Sequence, residues 1–173
     1  MKNLRLKKPF TFKNKIFFDN RGYFQELYLK KKINLNPKFT AIACSKRGVV
    51  RGFHFQKHKQ QAMLVSVLKG KINDYCIDLR KNSNNFGKIY KNSIYPGKLL
   101  YVPKGFAHGY TSLDKENIVL YHLSEYRDKS SEMGIFWKDK SLNIKWKVKN
   151  PILSKKDKSH SSLKEFIRRF KGL

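Results

Sequence analysis

The sequence predicts an all-β fold, a jelly roll or another closed β-sandwich, and three observations carry that prediction. Short apolar runs rich in Ile, Val, Tyr and Phe recur through 173 residues, separated by turns of Gly, Asn, Asp and Lys. Helical periodicity is confined to the C-terminus. Many evenly spaced strands in one chain of this length call for sheet closure, which removes exposed edges.

The expected strands, in order, are Phe10–Phe12, Ile16–Asp19, Gly22–Tyr28, Thr40–Ser45, Val49–His54, Ala62–Leu68, Gly70–Leu79, Gly87–Ser93, Lys98–Val102, His108–Ser112, Ile118–Leu123 and Ile135–Lys138. Asp19-Asn20-Arg21-Gly22 and Pro103-Lys104-Gly105 supply turns. In KGKINDYCIDLR, Ile72, Asp74, Cys76 and Asp78 share one face, and Lys71, Asn73, Tyr75, Ile77 and Leu79 share the other. Polar residues on both faces predict a sheet lining a solvated cavity. SSLKEFIRRFKGL reads as a helix capped by Ser161 or Ser162, with Leu163, Phe166, Ile167 and Phe170 on one stripe. One domain is expected over residues 1–173, with a core of about 13–157 and a basic helical tail over 158–173. The two cysteines, Cys44 and Cys76, both lie in apolar runs and are expected to be free, buried and inert.

The formal charge is +27. Such an excess invites a nucleic-acid reading. It is mostly Lys, however, and it is spread along the chain rather than gathered on one arm or helix face. No zinc finger, basic zipper or aromatic RNA-binding signature accompanies it. Dispersed surface charge is therefore preferred to a specific nucleic-acid function. A positive field also draws in small anions. The basic N-terminus lacks an apolar core segment and a cleavage site, and no apolar run reaches membrane-spanning length, so a cytoplasmic protein without membrane insertion is expected.

Five segments set polar residues among apolar strands or beside tight turns. DNRGYFQE offers Arg21 in a turn and Phe24 and Glu26 on one face of the following strand. Arginine, ring and carboxylate together suit a phosphate, a base face and a base edge. RGFHFQ places Arg51 and His54 around Gly52, which admits close approach of a backbone or ligand. VPKGFAHGY brings His108 out of a turn into a strand, LYHLSEY carries Tyr121 and Tyr126, and NPILSKKD is a loop ending in Asp157. A metal set of His54, His58 and His108 is disfavoured: no His-x-His pair is present, and His58 sits between lysines. Neither a metal nor another cofactor is expected.

Taken in order, these segments resemble the nucleotide-sugar 3,5-epimerases, the dTDP-4-dehydrorhamnose 3,5-epimerase family. The resemblance runs from about Lys13 to Asp157 and includes SKRGVVRGFHFQ and SEMGIFWKDKSLNIKW. It implies a cupin-like jelly roll and a homodimer whose N-terminal strands cross to the partner. It also implies a cofactor-free reaction on a nucleotide-diphosphate 4-keto-6-deoxysugar. A base removes a proton from carbon 3 or carbon 5, beside the ketone, and an acid returns one from the opposite face of the enolate. Carried over, His54 is the base, Asp157 its partner and Tyr121 the acid. Arg21 and Arg51 match phosphate contacts, and Phe24 and Glu26 match contacts to the nucleotide base. His108, Gln56 and Glu132 match further substrate-binding positions.

The chain also departs from the pattern. The family reads Gln-Gly-Lys-Leu-Val after the base, with the lysine implied to stabilise the oxyanion. Here the run is Gln61-Ala62-Met63-Leu64-Val65, after a loop one residue shorter. Where the family has Gln-x-Asn before Ser-x-Ser, this chain has Phe39, Ala41 and Ala43, and Arg127 stands where a tyrosine is expected. An active epimerase is the preferred reading. A sugar 3,4-ketoisomerase and a non-catalytic sugar-nucleotide-binding member remain as alternatives.

Overall fold

The computed structural model describes residues 7–173. Strands β1 (Phe10–Lys13), β9 (Lys98–Val102), β6 (Met63–Lys69), β11 (Glu116–Leu123) and β4 (Phe39–Lys46) form one five-stranded sheet in the order β1-β9-β6-β11-β4. The second sheet runs β12-β5-β10-β7-β8 and comprises β12 (Glu132–Gly134), β5 (Val50–Gln56), β10 (Phe106–Ser112), β7 (Ile72–Asp78) and β8 (Ile89–Ile94). Every pair within these sheets is antiparallel. From β8 to β12 successive strands alternate between the sheets. This is the expected jelly roll. A separate hairpin joins β2 (Ile16–Asp19) to β3 (Gly22–Gln25), shorter than the expected Gly22–Tyr28.

Three apolar layers hold the sandwich. Between the sheets lie Val65, Val67, Ile72, Cys76, Leu100, Val102, Tyr110 and Val119. Outside the first sheet, Leu64 and Leu99 pack with Ile33 and Leu35. Outside the second, Phe53, Phe55, Tyr75 and Ile77 meet Trp146, Leu163 and Phe166. The C-terminal helix, α2 (Leu163–Phe170), supplies the last two of these residues. Ser162 caps it, accepting from the Glu165 amide at 3.1 Å. Burying Phe166 stabilises the fold by roughly 1.5–3 kcal/mol relative to leaving it exposed.

Three expectations are corrected. The faces of β7 alternate as predicted, but both are dry, with all seven residues buried. Its carboxylates meet protein partners instead of water: Asp78 accepts from Arg80 at 2.5 Å and Ser83 at 2.7 Å, and Asp74 accepts from His108. The strand expected over Ile135–Lys138 lies earlier, at β12, whose register with β5 runs from Glu132 opposite Gln56 to Gly134 opposite His54, and the last backbone exchange with β5 is between Ile135 and Phe53. Ile135 then bridges Ser161, and the chain turns into a short 3₁₀ helix capped by Asp139. Both cysteines are free and Cys76 is buried, but Cys44 is exposed. Period-2 alternation turns Phe39, Ala41 and Ala43 inward and leaves Thr40, Ile42 and Cys44 on the outer face of edge strand β4. Among the described residues, no helix is long and apolar enough to cross a membrane.

Candidate active site

Residues of both sheets line a cavity of about 390 Å³. Local geometry on β5 explains the histidine between two phenylalanines. Phe53 and Phe55 point outward, their ring centroids 5.4 Å from Trp146 and 5.2 Å from Phe166. His54, one residue out of phase with both, lines the cavity. Gly52 lets β10 pass close by: a Cβ there would lie 2.5 Å from Gly109 Cα and 2.9 Å from the His108 carbonyl oxygen, and its φ is +127°. The close approach anticipated at this glycine is therefore to a backbone.

His54 Nε2 donates to Asp157 Oδ1 at 2.5 Å. Asp157 sits in a one-turn helix, α1 (Lys155–Lys158), where the sequence suggested a loop. Ser154 caps this turn: its hydroxyl accepts from the Asp157 amide at 3.0 Å and donates to Asp157 Oδ2 at 2.7 Å. The Ser-x-x-Asp spacing was the available sequence signal. Burial pushes the Asp157 carboxyl up, but hydrogen bonds from His54 and Ser154 outweigh it and hold the group below its ordinary range. The ionised carboxylate fixes the proton on Nε2 and leaves Nδ1 as the basic nitrogen.

The facing wall belongs to the other sheet. Tyr121, on β11, lines the cavity, and burial, followed by the neighbouring Tyr110 hydroxyl, pushes its phenol well above the ordinary value. It therefore stays protonated at neutral pH. Tyr110 shares a 3.0 Å hydrogen bond with Ser45. Arg51 Nε donates to the same Ser45 hydroxyl at 3.1 Å, and its guanidinium also holds the Cys44 carbonyl. His108 is buried, its ring centroid 6.2 Å from that of Tyr121, with its Nε2 hydrogen-bonded to Asp74 at 2.5 Å. Asp74 and Tyr110 were not singled out from the sequence as site residues. The polar residues of KINDYCID were the only hint of Asp74.

At the rim, Glu132 pairs with Arg127 and, at 2.8 Å, with Lys156. Arg127 first, then Lys156, outweighs partial burial and lowers the Glu132 carboxyl from 4.5 to about 2. Gln56 lines the cavity but spends its amide on backbone groups of Lys59, Tyr126 and Asp128, which fixes the adjoining loops. The departures noted in sequence converge here: Phe39, Ala41, Ala43, Met63 and Arg127 all line the cavity. None of the loop or strand lysines Lys57, Lys59 and Lys71 joins them. Lys57 lies over the Phe170 ring and Lys59 is 3.8 Å from Asp128. The cationic side chains on the lining, apart from histidine, are Arg51, Arg127 and Lys156.

Three expected residues lie elsewhere. Arg21 is at the tip of the β2–β3 hairpin, paired with Asp19 at 2.6 Å. Phe24 is 67% exposed on the same hairpin, and Glu26 is exposed just beyond it. None of them lines the cavity of its own chain.

Comparison with known proteins identifies the family. The model of the dTDP-4-dehydrorhamnose 3,5-epimerase family matches residues 3–165. The dTDP-4-dehydrorhamnose 3,5-epimerase of Shigella flexneri is 39% identical over 155 residues, covering 84% of this chain and 86% of that protein. The crystal structure of the Bacillus anthracis enzyme of that name, with TDP and pyrophosphate bound, superposes with a TM-score of 0.85 at 36% identity, over 90% of this chain and 94% of that one. A dTDP-6-deoxy-D-glucose-3,5-epimerase from Legionella pneumophila, in complex with dTDP-4-keto-L-rhamnose, gives a TM-score of 0.85 at 30% identity, over 94% and 91% of the two chains. With matching sequence over most of its length and a matching jelly roll, this chain belongs to the dTDP-4-dehydrorhamnose 3,5-epimerase family.

Proposed function

We propose that this protein is a cofactor-independent epimerase of a nucleotide-diphosphate 4-keto-6-deoxysugar, acting in deoxysugar and surface-polysaccharide biosynthesis. The observation that carries the reading is the pairing of His54 with Asp157 on one sheet side of the cavity and a half-buried, protonated Tyr121 on the other. A flat enolate held between them meets a base on one face and an acid on the other. His54 Nδ1 takes the proton beside the ketone, and the Asp157 carboxylate stabilises the resulting imidazolium, as in a catalytic triad. The electron pair moves to the ketone oxygen, and Tyr121 delivers its proton to the opposite face of the carbon, inverting it. His54 and Tyr121 then exchange protons with solvent to reset. Arg51 and His108 border the space for the substrate, and Glu132, set between Arg127 and Lys156, borders its mouth.

Arg21, Phe24 and Glu26 fit this reading if a second copy brings its hairpin to the cavity. Support comes from the hairpin itself, where Phe17, Phe18, Tyr23 and Phe24 are 51–75% exposed. So much aromatic surface on one two-stranded ribbon is unusual unless another surface covers it. A homodimer with shared sites is the arrangement we infer. Sedimentation of wild type against Phe18→Ser/Phe24→Ser tests it: the wild type should sediment as a dimer and the variant as a monomer, and a monomeric wild type would refute the shared site.

The activity is tested by incubation in D₂O with dTDP-4-keto-6-deoxyglucose, following the carbon 3 and carbon 5 protons by NMR. Exchange that disappears in His54→Ala is the expected result. Wild-type protein that binds the sugar nucleotide without exchanging either proton would refute the epimerase reading in favour of a binding protein.

A further inference from the structure

The buried side of the His54–Asp157 pair holds a residue that the proposed reaction does not use. His160 lies three residues beyond Asp157, its side chain 9% exposed and its Nε2 without a hydrogen-bond partner. Its seat is made by Gly134: a Cβ on that glycine would lie 2.4 Å from His160 Cδ2 and Nε2. Gly134 is the register partner of His54, so the seat places the second imidazole against the first, with ring centroids 5.6 Å apart and planes at 76°. His160 Nε2 is 3.8 Å from Asp157 Oδ1, the oxygen that also accepts from His54 Nε2.

We propose that His54, Asp157 and His160 form a binding site for a transition-metal ion of the Zn²⁺ class, and that its occupancy blocks the base. The three ligand atoms all lie within 4.8 Å of one another. A tetrahedral ion with bonds of about 2.0–2.1 Å holds its ligand atoms roughly 3.3 Å apart, so movements on the order of 1 Å complete three corners. The fourth corner opens on the cavity, which Asp157 and His54 line, and takes water or an anion. Two imidazoles and a carboxylate suit Zn²⁺, Co²⁺, Ni²⁺ or Cu²⁺, whereas Mg²⁺ and Ca²⁺ prefer oxygen sets. Lys156, the lysine on the cavity lining, is paired with Glu132 at 2.8 Å, so its charge is compensated rather than free. The ion also gives the orphaned His160 nitrogen a partner. On binding, the Nε2–metal bond replaces the Nε2–H donated to Asp157, and the neutral ring takes the tautomer with its proton on Nδ1, the nitrogen that would otherwise accept the substrate proton. The ion then takes up the carboxylate charge that would otherwise stabilise the imidazolium. Proton abstraction stops. This consequence rests on the reading of His54 as the base; the binding itself does not.

The test uses tag-free protein carrying Cys44→Ser, since Cys44 is exposed and thiolates bind the same ions. Co²⁺ is titrated while visible d–d absorption is recorded, Zn²⁺ is added in competition, and solvent exchange of the sugar-nucleotide protons is measured with Zn²⁺ and after EDTA. One tetrahedral Co²⁺ spectrum displaced by Zn²⁺, with Zn²⁺ inhibition reversed by EDTA, is expected. His160→Gln, checked by thermal unfolding to be folded, should weaken both effects at least about tenfold. Absence of the Co²⁺ band, or a band and inhibition unchanged in His160→Gln, overturns the site. A His160-dependent band without any effect of Zn²⁺ on exchange overturns the blocking, and with it the role assigned to His54.

Discussion

Replacing Asp157 with asparagine removes one charge at the centre of the proposed mechanism while keeping its shape. The carboxylate is 4% exposed, and it accepts from His54 Nε2 at 2.5 Å and from Ser154 at 2.7 Å. As His54 takes up the substrate proton, its hydrogen bond to Asp157 becomes an ion pair between a half-exposed imidazole and a buried carboxylate. Hydrogen bonds to charged groups contribute about 1.5–3 kcal/mol. At about 1.36 kcal/mol per decade, Asp157→Asn should slow proton abstraction about 10- to 150-fold. An asparagine turned to donate to Nε2 would also force the wrong tautomer and add to the loss. The assay is the rate of solvent deuterium entry beside the ketone at saturating sugar nucleotide, with thermal unfolding in parallel. The stability sign also follows. A carboxyl held below its ordinary range in the folded state stabilises above its unfolded value, about 3.9, and loses that contribution as pH falls through the folded value. Wild type and Asp157→Asn should therefore differ most near neutral pH and converge in acid. An exchange rate within twofold of wild type at pH 7 would refute the assignment of Asp157 as the partner of the base.

Other expectations follow from the same geometry. Met63→Lys puts an ammonium on the cavity wall where the chain has a buried thioether, and it should raise the exchange rate at least tenfold, given the 10²–10³ that one oxyanion contact typically contributes; an unchanged rate in folded variant protein would show that the oxyanion sits elsewhere. Tyr121→Phe should retain His54-dependent exchange and lose inversion, read by comparing deuterium entry with the appearance of epimerised sugar on one NMR time course. Gly52→Ala forces a side chain onto the Gly109 backbone at positive φ and should destabilise by about 3 kcal/mol or more, a fall of at least roughly 6 °C in Tm by calorimetry. Glu132, lowered from 4.5 to about 2 chiefly by Arg127, should stabilise above its unfolded value and lose that contribution as pH drops toward about 2, so the acid limb of wild-type Tm should be steeper than that of Glu132→Gln.

By itself the sequence determined the strands, most of their limits and the sandwich they make, because period-2 alternation and turn chemistry are local properties of the chain. The same alternation turned His54 away from Phe53 and Phe55 and set Phe39, Ala41 and Ala43 on one face of β4. The helix cap at Ser162 was equally local. Periodicity names a face, however, and not what lies across from it. The sequence offered a polar alternation in β7 and could not distinguish water from protein partners; the fold placed His108 over Asp74, 34 residues away. It linked His54 to Asp157 across 103 residues and seated His160 behind them in the space above Gly134. The two sheets had to close before Met63 and the apolar face of β4 came to line the same cavity as His54. Cys44, read as buried from its apolar neighbours, is exposed because β4 is an edge strand whose outer face no described element covers. Strand order and sheet pairing decide such contacts, and they arise from packing between residues far apart in the chain, where local pattern carries no information.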